Sequence, residues 1–151
     1  MKQFRDRLHS SKGQILVMLA LAIPLMLTML GLALDGGRLY FERRHAQIAA
    51  DAGARSAAFE LLRGNNTQAS VDEASATDAK LNGYDIADAE VDVVALIGPA
   101  GFDNNFVSVT VTDEVPTTLL NIFGKNASAV AARAVAGIVA DTAPPCVLAL
   151  D

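Results

Sequence analysis

The sequence predicts an α+β protein in which a long N-terminal transmembrane helix continues into a small domain with a second helix and a three-stranded antiparallel sheet. Three observations lead to this class. Residues 15–34 carry no charge, and only Pro24, Thr28 and Gly31 among them are not apolar. A helical spacing of small side chains then continues to about residue 63. Beyond it, three segments rich in β-branched residues lie between turn signals, as strands do.

The apolar segment 15–34 is long enough to span a bilayer, because a helix of this length rises about 30 Å. The tail before it, residues 1–14, is basic. Its charged side chains are Lys2, Arg5, Asp6, Arg7 and Lys12. Short basic flanks stay on the cytoplasmic side, so we expect the N-terminus inside and the rest of the chain on the other side.

A cleaved signal peptide is the alternative interpretation of this segment, because Gly31, Leu32 and Ala33 resemble a small-residue cleavage site. The apolar run exceeds the ~7–15 residues of a signal core, and the helical pattern continues past the cleavage point. We therefore expect an uncleaved anchor. Pro24 lacks a backbone N–H and is expected to kink the helix in mid-span.

The residues at the predicted membrane exit are Asp35, Gly36, Gly37 and Arg38. An acid inside lipid would be a functional candidate, but Asp35 falls at the interface, where we expect it to be solvated. Each glycine lowers helix propensity by about 1 kcal/mol relative to alanine. The pair therefore predicts either a hinge or a place where another backbone comes close.

Residues 35–63 are predicted to continue the helix and to carry a stripe of small side chains on one face. The stripe consists of Ala46, Ala49, Ala50, Gly53, Ala54, Ala57 and Ala58. Because small side chains let two backbones approach closely, the stripe predicts a helix-packing interface. The alternative is that it covers the sheet of the chain's own domain. Gly64 is the expected C-cap of this helix.

Residues 64–140 are predicted to form the small domain, and 141–151 a C-terminal tail. Ser70 and Glu73 have the spacing of a capping box, which predicts the start of a second helix. Asn82 and Gly83 are expected to end it.

Three strands are predicted at 90–97, 106–112 and 127–139. In the second, valines alternate with serine and threonine, so one face should be buried and the other polar. Between the second and third strands, Pro116 predicts the first turn of a short helix that reaches Phe123.

Composition and motifs favour binding or assembly over catalysis. Residues 64–151 hold three basic against twelve acidic side chains, which argues against nucleic-acid binding. The sequence has no zinc spacing, phosphate loop or nucleophile motif, and its one cysteine, Cys146, cannot form an internal disulfide. We therefore predict no catalytic residue, no cofactor, no metal and no small-molecule substrate. An acidic cluster is expected to be a solvated loop, because it lacks the pattern of a calcium loop; its members are Asp85, Asp88, Glu90 and Asp92.

Three motifs lie in about the first sixty residues: GQ at 13–14, LDGGRLY at 34–40 and RRHAQIAADAGA at 43–54. Through these motifs, the segment resembles the N-terminal region of TadE/TadG-like proteins of Flp (Tad-type) pilus assembly. Weaker landmarks are VPT at 115–117 and AARAVA at 131–136. TadE-type pseudopilins carry a glutamate five residues past the prepilin cleavage site, and Met18 holds that position here. The resemblance is therefore closer to the TadG N-terminal region, and processing between Gly13 and Gln14 is not expected.

The resemblance implies a single-pass protein of the bacterial inner (cytoplasmic) membrane, with its N-terminus cytoplasmic and its C-terminal domain periplasmic or extracellular. The implied partners are the lipid bilayer and other pilus-assembly or pilin-like subunits. The implied role is a pilin-like component of pilus assembly, acting through helix packing and protein–protein contacts. Two alternatives remain: the chain is itself a filament subunit stacked through residues 15–34, or it is an anchored extracytoplasmic binding domain.

Overall fold

The computed structural model describes residues 11–139 and 146–150. Predictions on the basic tail before residue 11, and on the Pro144–Pro145 segment, lie outside the described residues. The elements follow in chain order: α1 (Ser11–Leu62), α2 (Gln68–Leu81), β1 (Val91–Ile97), β2 (Phe106–Pro116), a 3-10 helix (Leu120–Phe123), β3 (Ala127–Val139) and β4 (Cys146–Leu150).

Helix α1 is 52 residues long and passes without interruption through Pro24 and through Gly36–Gly37. Among the described residues, it is the helix that is long and apolar enough to cross a membrane by length and composition. The hydroxyl of Thr28 donates to the carbonyl of Pro24 at 2.8 Å, so this polar group is satisfied inside the apolar segment. The helix ends as predicted, since Gly64 adopts a φ of 88° and its N–H donates to the carbonyl of Leu61.

The strands form one antiparallel sheet in the order β1-β2-β3-β4. The α+β class and the three predicted antiparallel strands are confirmed. Strand β4 extends the sheet beyond this prediction, because its residues pair with Val135–Val139 in the region expected to be a tail. The apolar VLAL run at 147–150 supplies a strand that covers the open edge of β3.

Helix α2 begins earlier than the capping box predicted. Thr67 is the N-cap, and its hydroxyl oxygen accepts a hydrogen bond from the N–H of Ser70 at 3.3 Å. The prediction of Ser70 as N-cap is wrong because Thr67 offers the same capping chemistry one turn earlier. The hydroxyl of Ser70 instead donates to the carbonyl of Asn65 at 2.7 Å. The helix ends at Asn82 and Gly83, as predicted.

The segment after Pro116 also differs from its prediction. Pro116 is the last residue of β2 and pairs with Ala127, so it does not open a helix. A proline at the end of a strand loses only one ladder hydrogen bond, which the sheet tolerates. The expected helix is reduced to the 3-10 helix Leu120–Phe123, which Gly124 closes with a φ of 83°.

The chain divides into two compact units, which we name by their content. The apolar unit holds the described residues up to Gly37 together with Thr117–Asn126. The sheet unit holds Arg38–Pro116 and the described residues from Ala127 onward. In the sheet unit, Val107, Val109 and Val111 are fully buried, which confirms the predicted apolar face of β2.

Candidate functional site

Asp35 is buried in the apolar unit, with 2% of its surface exposed. The expectation that it is solvated is therefore wrong. Its carboxylate accepts hydrogen bonds from three successive backbone N–H groups: Thr118 at 3.0 Å, Leu119 at 2.9 Å and Leu120 at 2.8 Å. These groups open the 3-10 helix, where N–H donors lack partners within the helix and a negative charge is favoured. Asp35 is thus a capping carboxylate supplied from a distant part of the chain.

The segment that Asp35 holds, Thr117–Asn126, is called the docking loop here. It is closed on itself as well, because the N–H of Thr117 donates to the carbonyl of Asn126 at 3.0 Å. The hydroxyl of Thr117, a buried residue, donates to the carbonyl of Lys125. Within the 3-10 turn, the N–H of Ile122 donates to Leu119 and that of Lys125 to Leu120, both at 3.1 Å. The loop is therefore a defined turn rather than an extended connection.

Gly31 allows the docking loop to reach the surface of α1. A Cβ atom built on Gly31 would lie 2.6 Å from Cδ1 and 2.8 Å from Cβ of Leu119, closer than atoms can approach. Next to this contact lies an apolar groove of about 380 Å³. Its lining residues are Pro24, Leu27, Thr28, Leu30, Gly31, Leu32, Leu119, Leu120 and Ile122. No charged side chain is among them.

The other predicted exit residues are not part of this arrangement. Gly36 and Gly37 are exposed, and a Cβ on either would meet no described atom within 4 Å. A close approach to α1 occurs at Gly31 instead, and it is made by the side chain of Leu119 rather than by a backbone. Arg38 is exposed and lines a cleft of the sheet unit described below.

The small-residue stripe of α1 lies in the core of the sheet unit. Its alanines are at most 1% exposed, and Gly53 is buried with them. At Gly53, an added Cβ would lie 3.1 Å from the carbonyl oxygen of Ser75 and 3.3 Å from Cγ1 of Val109. The stripe thus lies against α2 and β2 of its own chain, the second of the two interpretations from sequence. A contact of these residues with another protein's helix stays a prediction.

The sheet unit also has a polar cleft of about 330 Å³ around Tyr84. The hydroxyl of Tyr84 donates to the backbone carbonyl of Glu42 at 3.2 Å, and burial raises the pKa of this phenol to about 12. Burial, followed by the negative charges of Glu42 and Glu90, raises the pKa of Asp113 above its ordinary value. The charged residues that line the cleft are Arg38, Glu42, Asp88, Glu90, Asp113 and Glu114. Among the described residues, no group of His, Cys, Asp or Glu is arranged to hold a metal ion.

Sequence reasoning singled out Asp35 but missed its partner, the docking loop. One local signal was present: the run LLNIF at 119–123 is apolar except for Asn121, although it connects two strands, a place where polar turn residues are usual. Such a run between Pro116 and Gly124 indicates that a connection packs on something apolar.

Two known families together match most of the described chain. The family of Flp pilus-assembly TadE/G-like proteins matches residues 13–59. The Tad-like Flp pilus-assembly family matches residues 37–136, more than half of the 151-residue chain. No curated protein and no solved structure matches it. These families are structural and assembly components rather than enzymes. The chain belongs to the Tad-like family of Flp pilus-assembly proteins.

Proposed function

We propose that this protein is a membrane-anchored component of Flp/Tad pilus assembly. In this proposal, residues 15–34 span the inner membrane with the N-terminus in the cytoplasm, and the chain beyond them lies outside the cytoplasm. The protein has no catalytic role and acts through contacts with other pilus-assembly or pilin-like subunits. Membership of the family supports the assembly role, and the exposed apolar half of α1 supports the anchor.

The observation that carries the anchor is the exposure of large apolar side chains along α1. From Ile15 to Leu34 these side chains are 48–72% exposed, although the same helix buries the alanines of its small-residue stripe almost completely. Covering one such side chain with an apolar environment is worth about 1.5–3 kcal/mol. A continuous row of them along the helix therefore needs an apolar surrounding, and a bilayer supplies it.

An uncleaved anchor fits the contacts of this segment better than a removed signal peptide. Cleavage near Ala33 would remove Gly31 and the groove residues on which Leu119 packs. Asp35, two residues farther on, holds the same docking loop through three hydrogen bonds. The residues before the cleavage point therefore make contacts within the folded protein.

The topology can be tested by cysteine labelling of the full chain in cells, with Cys146→Ser as the background. Ile86, 58% exposed, is replaced by Cys in one variant and Ser10 in the other. We expect a membrane-impermeant maleimide to label the Ile86→Cys variant in spheroplasts and the Ser10→Cys variant only after lysis. Labelling of both without lysis, or release of the protein by alkaline carbonate, would contradict the anchor.

The assembly role is tested separately in a deletion strain. We expect loss of pili and of surface adhesion, restored by the wild-type gene on a plasmid. A deletion strain with normal pili and normal adhesion would contradict the proposed role even if the topology holds.

A filament subunit is the second candidate, because stacking of helices would also cover the exposed apolar row. The mass of the mature chain separates the two candidates. An intact chain from Met1 in the inner membrane supports the anchored component. A chain that begins at Gln14 and is recovered in sheared filaments supports the subunit.

A further inference from the structure

The docking loop, Thr117–Asn126, carries an apolar tip although it connects two strands of a sheet. Ile122 is 76% exposed, more than the exposed apolar side chains of α1 between Ile15 and Leu34. Leu119 and Leu120 are only half-buried, and both line the groove along α1. A turn in water would normally hold polar residues at these positions, so the composition of the loop indicates an apolar surrounding.

The position of the loop along α1 indicates which surrounding this is. Leu119 packs on Gly31, which precedes Asp35 by about one turn, or roughly 6 Å of helix rise. The groove continues along α1 to Pro24, about 16 Å from Asp35 at the same rise per residue. The loop therefore lies beside the part of the helix that the proposed function puts in the bilayer.

The hydrogen bonds of the loop suit such a position. Lipid offers no partner to a backbone N–H, so a loop at that depth must satisfy its own polar groups. Asp35 accepts from three of them, and the N–H groups of Ile122, Gly124 and Lys125 donate to carbonyls within the loop. Lys125 is exposed three residues after Ile122, a spacing that lets its ammonium group reach headgroup phosphates while the tip is in lipid.

We propose that the docking loop inserts into the bilayer leaflet at the C-terminal end of the span, with lipid acyl chains on Ile122 and in the groove. The loop is then a second point of attachment beside the transmembrane helix, and Asp35 is the residue that holds it there. This inference rests on the proposed anchor.

The test uses the full chain with Cys146→Ser, reconstituted in vesicles of phosphatidylcholine and phosphatidylglycerol. An environment-sensitive fluorophore is attached to Cys at position 122, in an Ile122→Cys variant. Two matched variants calibrate it: Met26→Cys, 70% exposed on the proposed span, and Ile48→Cys, 56% exposed in the sheet unit. Quenching is measured with doxyl-labelled lipids and with aqueous iodide.

We expect the label at 122 to be quenched by doxyl lipids as strongly as the label at 26 and to be shielded from iodide, whereas the label at 48 shows the reverse. If the label at 122 behaves like that at 48 while the label at 26 stays lipid-quenched, the loop proposal is overturned and the anchor stands. Shielding of 122 from both quenchers would mean that a second protein surface covers the tip, which also overturns it. Iodide access at position 26 would overturn the anchor and the loop proposal together.

Discussion

The two parts of helix α1 differ in the size and the exposure of their apolar side chains. Before Asp35 the side chains are large and exposed, as at Leu21 with 72% of its surface accessible. Along the small-residue stripe from Ala46 to Ala58 they are small and buried in the sheet unit, as at Ala50 with none accessible. In the sheet unit, burial away from water stabilises the fold, and small side chains allow α1 to come close to α2 and β2. In the apolar unit, large side chains remain on the surface because the proposed surrounding is itself apolar.

Asp35→Ala should have the largest effect on the apolar unit, because it removes the acceptor of three hydrogen bonds. Unpaired buried N–H groups cost about 1–3 kcal/mol each, and with some relaxation of the loop we expect a local loss of about 3 kcal/mol. Hydrogen exchange of the amides of Thr118, Leu119 and Leu120 should accelerate roughly a hundredfold. Asp51→Ala, which removes a single bond from Gln47, is the matched control and should leave these amides unchanged. Unchanged exchange in the Asp35 variant would mean that the carboxylate does not hold the loop.

Ala54→Leu should have the next largest effect, and it acts on the sheet unit. Ala54 is 1% exposed, so a larger side chain must displace its neighbours, at a cost of about 1–3 kcal/mol. Thermal unfolding of the full chain in detergent, followed by circular dichroism, should show a lower Tm. Arg55→Leu, at an exposed neighbouring position, is the control. A tolerated Ala54→Leu would indicate that the stripe is open for another protein's helix.

Gly31→Ala and Gly36→Ala form a pair that separates loop docking from helix propensity. Either change should stabilise the helix by about 0.5–1 kcal/mol. At Gly31 the added methyl collides with Leu119, so a net loss of about 1 kcal/mol is expected there. Exchange of the Leu119 amide should accelerate in Gly31→Ala and not in Gly36→Ala. Adding Leu119→Gly to Gly31→Ala should remove the collision, because glycine lacks both Cδ1 and Cβ, and additive effects of the two changes would contradict the contact.

Effects of pH on the sheet unit come last, because they are confined to the titration ranges of two side chains. Tyr84 has a folded-state pKa of about 12 against an ordinary 10.0, so the folded state keeps its proton longer and stability falls as pH rises from 10.0 to about 12. Denaturant unfolding should show this decline in the wild type and not in Tyr84→Phe, while Tyr40→Phe, at an exposed position, should retain it. The folded-state pKa of Asp113 is also raised. The stability of the folded state therefore falls as pH rises from the ordinary pKa of an aspartate through the raised pKa of the folded state. Asp113→Asn should reduce that fall.

Periodicity in the sequence predicted the parts of the fold that depend on neighbouring residues. The apolar span, the alternation of Val107, Val109 and Val111, and the end of α1 at Gly64 all follow from local patterns. The capping pattern predicts Ser70 rather than Thr67 as the N-cap of α2, because two cap residues occur within one turn and a local pattern does not choose between them.

The candidate site could be predicted only in part, because it joins distant residues. Asp35 is named from sequence as a membrane-exit residue and predicted to be solvated, but its hydrogen bonds go to residues 83 to 85 positions later in the chain. The sequence around Asp35 gives no indication of these distant partners. The stripe from Ala46 to Ala58 was open to two interpretations for the same reason: a row of small side chains fits a neighbouring helix and a sheet equally well.

The contact between Asp35 and the docking loop sets an order of events during synthesis. Residues 118–120 follow Asp35 by 83 to 85 positions, so the apolar helix is complete before the donors of these three hydrogen bonds exist. If the helix enters the bilayer as the proposed function requires, most of the sheet unit's sequence must first be translocated. The docking loop must then return to the membrane surface it has left. Attachment of the loop to Asp35 is therefore a late step, which takes place only after β2 has crossed to the extracytoplasmic side.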